Sequence, residues 1–376
     1  MFSFGIEHEV AFVDRAGKIV DFSRAKFADF NQIIEALPEY ADDYLSLHIG
    51  DAGIRKKRWY IEGFERFSES EEFVECVPKG IEIRTTIHSS IQGTITELEE
   101  SFALLCDAAD KFGLSPVLIS FNPYQTVYEP VPPLNSYEIS ELQAYPDEQT
   151  VNIYMVSYGP DLNISIANLP VERVIDIGQK LTYYSPYIVP FSYSSPFYQG
   201  KLWSGLSVRT FVRTGKRAAT RVYVKDKEQL ISSTPALTKI ARIGAEVGRI
   251  EFKACDSCDD FAIYAGLLAL LKGLALDDTL PGRAIVPDAA MHQLSAQSGF
   301  DNEEVCAGAS QILDVATIAL GNDPDIDLLE PLKILLSKRI TPAHQIIRAF
   351  HTYGSIEQAL IETYPGKGNR GVRSRE

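Results

Sequence analysis

SFGIEHEVAFV, residues 3–13, reads as a β-strand that carries two acids among apolar neighbours. Side chains two apart on a strand share a face, so Glu7 and Glu9 project together, flanked by Ile6, Val10 and Phe12. Carboxylates held this close repel, and in a half-buried site the repulsion is costly unless a cation neutralises it. Hard oxygen donors suit magnesium, manganese or calcium. A lone Glu-x-Glu also fits a hydrated strand face, so its meaning depends on the rest of the chain. His8 lies between the two acids and should point to the other side, as a packed or surface histidine.

Working outward, the stretch 72–87 (EFVECVPKGIEIRTTI) reads as two strands around a turn at Pro78–Gly80. It places Glu75 on one strand and Glu82 on the other, with Arg84 on the face of Glu82. Asp161 heads DLNIS (161–165), and Glu251 sits in RIEFKA (249–254) with Lys253 two residues along. Acids are depleted in strands. One acid in each of several apolar strands therefore favours convergence on one sheet face as a metal site. Arg209 follows an aromatic stretch, and Arg213, Lys216, Arg217 and Arg221 cluster in FVRTGKRAATR (211–221). Arginine forks match phosphate and carboxylate oxygens, so this cluster is a candidate anion pocket. For Lys216 and Arg217 a solvated hairpin has equal weight.

Among the remaining segments, 56–62 (KKRWYIE) and 115–121 (SPVLISF) read as strands and 90–112 as an amphipathic helix with a Thr94–Glu97 capping box. The Pro- and Tyr-rich stretch 123–148 reads as a long irregular loop, either plain surface or a lid. Residues 151–157 and 161–167 alternate like a hairpin, and Pro170 opens a helix to about residue 183. The aromatic segment 184–213 reads as a loop ending in a short strand, and from residue 259 the pattern is helical. Strands dominate the first two-thirds and helices the last third, an α+β pattern. We expect a single domain over 1–364, strand-rich over 1–255 and helical over 256–364, followed by a basic disordered tail, 365–376. There is no P-loop, no GxGxxG and no nucleophile elbow.

The 376 residues carry a net charge of −15, which disfavours nucleic acid and anionic membrane as partners. The apolar run 261–276 is too short to span a bilayer and contains Lys272, so it reads as a buried helix. With no export signal and only five cysteines, the expected location is the reducing cytoplasm. The lone Cys255–Cys258 pair then reads as two reduced thiols rather than a zinc or redox site.

Four motifs carry a resemblance: GIEHE (5–9), EIRTTIH (82–88), SPFYQGKLWSGLSVR (195–209) and RIEFKACDSC (249–258). Together they resemble the glutamate–cysteine ligase and carboxylate–amine ligase superfamily, in particular its cyanobacterial-type glutamate–cysteine ligases. The resemblance implies a glutamine-synthetase-like fold: a curved antiparallel sheet with helices on its outer face. It implies two or three Mg2+ ions, or Mn2+, held against ATP by Glu7, Glu9, Glu75, Glu82, Asp161 and Glu251. Arg209 and Lys253 would act on the transferred phosphoryl group, Arg213 and Arg221 would join them on the nucleotide, and Arg84 and Asn163 would contact the amino-acid substrate. The implied reaction joins L-glutamate and L-cysteine through γ-glutamyl phosphate. Alternatives are ligation to another amine, a silent nucleotide-binding member, or a metal-free carboxylate-pair hydrolase. Two positions depart from the family pattern: Asp161 stands where a histidine is common, and Lys253 where an arginine is expected, which loses the bidentate fork.

Overall fold

Strand β1, Phe2–Asp14, forms the spine of the molecule in a computed structural model that describes residues 1–41, 43, 58–144 and 151–363. The other strands are β2 (Ile19–Val20), β3 (Trp59–Phe67), β4 (Phe73–Arg84), β5 (Leu114–Val117), β6 (Pro160–Ile166), β7 (Phe197–Tyr198), β8 (Lys201–Leu202), β9 (Thr220–Val224), β10 (Thr238–Ile240) and β11 (Ile250–Phe252). Among the described residues nine of these make one curled sheet in the order β10-β9-β11-β6-β1-β4-β3, with β2 and β5 pairing the far end of β1. β7 and β8 form a separate small ribbon. The sheet is antiparallel except for β10, which runs parallel to β9.

Alternation along β1 sorts its side chains between two environments. Phe4, Ile6, His8, Val10 and Phe12 are buried under the helical layer. Gly5, Glu7 and Glu9 face the opposite, concave side. The helices Ile91–Lys111, Val171–Ile188 and Phe261–Leu276 lie on the outer face and supply most of the core. Phe261–Leu276 is apolar on every side because it is enclosed on every side. Among the described residues no helix is long and apolar enough to cross a membrane.

Several sequence expectations are corrected. Residues 73–84 are one strand, not two: Glu62 pairs Gly80 and Gly63 pairs Pro78, so Lys79 bulges out of the ladder. The Pro-Lys-Gly signal marks a bulge because both sides of β4 are paired. The expected hairpin at 151–167 is absent: Val151–Tyr154 is a helical turn, and β6 pairs β1 and β11 instead. Tyr158 N–H donates to the Ser120 carbonyl, a long-range tie that overrides the local alternation. Arg209 sits on the helix Val208–Arg213, not on a strand, because the Ser207 hydroxyl caps its N-terminus. Ser90, not Thr94, caps Ile91–Lys111, and Glu97 instead binds Thr86 and His88. The Pro-rich stretch contains a helix, Ser136–Ala144. Its end at 145–148, residues 56–57 and the expected tail lie outside the described residues.

Candidate active site

Cross-strand register builds the site. Glu9 stands opposite Glu82, and Glu82 opposite Tyr60. Glu7 stands opposite Asp161, and Glu251 opposite both Asn163 and Arg221. Acids placed far apart in sequence thus meet on the concave face, where they line a cavity of about 610 Å³. They form two clusters. Glu7, Asp161 and Glu251 each present an oxygen within 4.8 Å of the others, and so do Glu9, Glu62 and Glu82.

Each cluster has its own counter-charges. The Lys253 ammonium bonds both Asp161 and Glu251. Arg249 donates to Glu7 at 3.0 Å and pairs with Glu251 at 3.2 Å. Lys79 is fully enclosed, and its ammonium donates to Glu9 Oε1 at 2.7 Å and to the carbonyls of Tyr154 (3.0 Å) and Ser157 (2.8 Å). The Gly159 N–H donates to Glu9 Oε2 at 2.9 Å, and the Tyr154 hydroxyl bonds Glu62. Glu82 Oε1 is buried without a hydrogen-bond partner among the described residues.

Titration behaviour follows this geometry. Burial raises the Glu82 carboxyl well above its ordinary value, and the charges of Glu62 and Glu7 push it further. Burial pushes Glu62 up to about 7, against the opposing charge of Lys79. Burial also raises Glu7 and Asp161, opposed respectively by Arg249 and Lys253. Glu251 goes the other way: burial would raise it, but Lys253, Arg249 and Arg221 together hold it below the usual carboxylate range.

A basic wall lies beside the acids. Arg209 donates to the carbonyls of Ala254 (3.0 Å) and Lys253 (3.1 Å), and Arg213 to those of Lys253 (2.6 Å) and Ala218 (3.1 Å). Both line the cavity but commit these donors to main chain, so they act there chiefly as fixed positive charge. Gly159 is required beside Arg209, since a Cβ there would lie 2.3 Å from Nη2. Arg217 and Arg221 also line the cavity, whereas Lys216 is exposed. Arg84 lines it with its guanidinium 4.6 Å from the Tyr60 ring centre. Asn163 donates to the Asp161 carbonyl, and its Oδ1 is buried without a partner.

The assignment of Glu75 is corrected. It is exposed, stands opposite Arg66 near the outer end of β4 and lies outside both clusters. Glu62 joins Glu9 and Glu82 instead. Reading the strand 56–62 for its own acid would have found it; the i, i+2 rule applied to Glu251 would have found Arg249. Nothing in the sequence marks Lys79, whose position depends on the bulge. His8 behaves as expected: its Nε2 lies 3.0 Å from the Tyr264 hydroxyl, and burial lowers its pKa to about 4. Cys255 and Cys258 are buried thiols, and burial pushes Cys255 up to about 12.

An all-carboxylate donor set with an orphaned buried oxygen fits a hard divalent cation at Glu9, Glu62 and Glu82. The other cluster has the same donors but holds two cationic side chains among them.

A curled sheet with helices on one face and a polar concave cavity on the other places the molecule among the glutamine-synthetase-like ligase folds. The chain belongs to glutamate-cysteine ligase family 2, whose sequence profile matches residues 3–216. A protein of Janthinobacterium sp. (strain Marseille) named "Putative glutamate--cysteine ligase 2" is 32% identical over 128 residues, which is 34% of this chain and 33% of that protein. Its namesake from Jannaschia sp. (strain CCS1) is 26% identical over 140 residues, 35% of this chain and 33% of the relative. The matched stretch thus spans about a third of these curated relatives. The fold is similar to glutamate–cysteine ligase from Francisella tularensis in complex with AMP (TM-score 0.56, 12% identity, covering 100% of this chain and 89% of that one). It is also similar to a bifunctional glutathione synthetase from Pasteurella multocida (TM-score 0.54, 13% identity, 96% and 51%).

Proposed function

We propose that this protein is an ATP-dependent carboxylate–amine ligase that joins the γ-carboxylate of L-glutamate to the amine of L-cysteine. One observation carries the reading: two carboxylate clusters and a wall of arginines share one cavity large enough for several small substrates. In the first step the glutamate γ-carboxylate attacks the γ-phosphorus of ATP, giving γ-glutamyl phosphate and ADP. In the second, the amine attacks the acyl carbon and phosphate leaves.

Both steps bring anions together inside an acidic protein, so charge control is the central task. Glu9, Glu62 and Glu82 would hold Mg2+ or Mn2+, with Glu7, Asp161 and Glu251 as the companion cluster. A bound divalent ion supplies charge neutralisation to the phosphates and orients them. Arg209, Arg213, Arg221 and Lys253 present positive charge to the transferred phosphoryl group from the basic wall. Arg84 offers a cation to a glutamate carboxylate, and the Asn163 Oδ1 offers an acceptor to an ammonium. No protein nucleophile is needed, in keeping with the buried thiols at Cys255 and Cys258.

A second reading concerns the acceptor. The lining also includes Phe64, Phe67, Tyr137 and Leu142, apolar surface that would suit a bulkier amine than cysteine. Incubating the protein with ATP, Mg2+ and glutamate plus each amino acid in turn, and measuring ADP release and product mass, decides between them. We expect glutamate-dependent ADP release that is greatest with cysteine. A larger response to another amine would establish the second reading, and ATP binding with no turnover for any amine would remove both.

A further inference from the structure

The two carboxylate clusters are equal in size but unequal in how their charge is already met. In the Glu7–Asp161–Glu251 cluster every carboxylate has a cationic donor. Lys253 bridges Asp161 and Glu251, and Arg249 reaches Glu7 and Glu251 while also pairing with Glu246 at 3.3 Å. The Tyr223 hydroxyl donates to Glu251 Oε2 at 3.0 Å. Among the described residues, the cation at bonding distance in the Glu9–Glu62–Glu82 cluster is Lys79, and of the three acids it bonds Glu9. Its remaining donors go to the carbonyls of Tyr154 and Ser157, so it has none left for Glu62 or Glu82. Glu82 is 5% exposed, and its Oε1 is buried with no hydrogen-bond partner. A buried carboxylate oxygen without a donor is strongly unfavourable unless something binds it.

We propose that Lys253 is a resident cation of the Glu7–Asp161–Glu251 cluster, so that the chain takes its first divalent ion at Glu9–Glu62–Glu82 and a second only in competition with the Lys253 ammonium. The inference rests on the reading of this cavity as a metal-binding ligase site and specifies how that site fills. An ion entering between Asp161 and Glu251 must displace or crowd an ammonium that already bonds both. An ion entering beside Glu82 meets no ammonium bonded to that carboxylate, since Lys79 bonds Glu9, and it gives the orphaned oxygen a partner. Lysine suits the resident role because its ammonium is a compact point charge on a flexible stem, whereas an arginine fork would spread its donors in a plane.

The test uses the full chain, freed of metal by chelation and without nucleotide. Mn2+ binding is followed by the electron paramagnetic resonance signal of the free ion and by calorimetry. Wild type should bind one Mn2+ tightly and a second at least about tenfold more weakly, since an added unit charge at bonding distance shifts affinity by that much or more. Lys253→Met should tighten the second ion by at least about tenfold, and Lys253→Arg, which keeps the charge, should leave it weak. Glu82→Gln should remove the tight ion and spare the weak one. Circular dichroism establishes that each variant is folded. If Lys253→Met does not fold, the wild-type stoichiometry and the Glu82→Gln result still decide. Two ions of equal affinity in wild type, or a tight ion that survives Glu82→Gln, would overturn the proposal while leaving the ligase reading intact. A failed ADP-release screen alongside the predicted Mn2+ pattern would do the reverse.

Discussion

Glu82 concentrates the electrostatic strain of the cavity, sitting 5% exposed beside Glu9 and Glu62 with one oxygen unpartnered. Burial and the neighbouring acids already favour its neutral form, of which glutamine is the isostere, so the change costs the fold little but deletes a metal ligand. Glu82→Gln should therefore melt no lower than wild type while ligation falls roughly a hundredfold or more. Glu75→Gln should change neither quantity, because Glu75 is exposed and apart from the clusters. Thermal unfolding and ADP release measure both; a drop in melting temperature for Glu82→Gln would contradict the account. At this scale much of the site was legible. Glu7, Glu9, Glu82, Asp161 and Glu251 are all acids set in apolar strands, and the two-residue period puts each on a definite face. Glu75 meets the same criterion yet stands at the exposed end of β4, apart from the clusters, because an acid in a strand pattern does not show how far along the strand the cavity's acids lie.

A bulge in β4 explains why 73–84 is one strand where the residue pattern suggests two. Pro78-Lys79-Gly80 has turn chemistry, yet both flanks of β4 are hydrogen-bonded to neighbours, so the chain passes straight on and expels one residue. Gly80 makes this possible: a Cβ there would lie 2.2 Å from the Val10 carbonyl oxygen. Gly80→Ala should lower stability by about 1–3 kcal/mol by forcing β1 and β4 apart. A shift in the urea midpoint checks this, and an unshifted midpoint would count against the pairing described. The Pro-rich stretch was misread for a similar reason. Its helix Ser136–Ala144 is held by a buried pair, Arg66 to Glu138 at 2.7 Å, and Glu138 also accepts from the N–H groups of Phe67 and Asn135. Burial pushes the Glu138 carboxyl up, but the Arg66 bond and these N–H groups outweigh it and hold it below the ordinary value. A depressed folded pKa contributes stability that is present above the unfolded value and lost as pH falls through the folded one. Hydrogen-exchange protection of 136–144 should accordingly weaken on acidification below the usual carboxylate range. Glu138→Gln should show the weakened protection already at neutral pH; full protection in that variant would disprove the latch.

On the scale of the whole molecule, the division of labour follows from which face of one sheet each residue meets. The apolar half of β1 and the enclosed helix Phe261–Leu276 make the core, and the acidic half of β1 opens into the cavity. The α+β class was readable from periodicity. The strand order was not, since β9, β11 and β6 pair across long stretches of chain whose register no local pattern encodes. That order is what brings Glu251 within reach of Glu7 and Asp161, so the central claim is a claim about convergence. It is tested most directly by anomalous diffraction from crystals grown with Mn2+ and a non-hydrolysable ATP analogue. The account predicts a manganese peak bounded by Glu9, Glu62 and Glu82, with the analogue's phosphates against it. A nucleotide bound elsewhere, or manganese absent from these carboxylates, would contradict it.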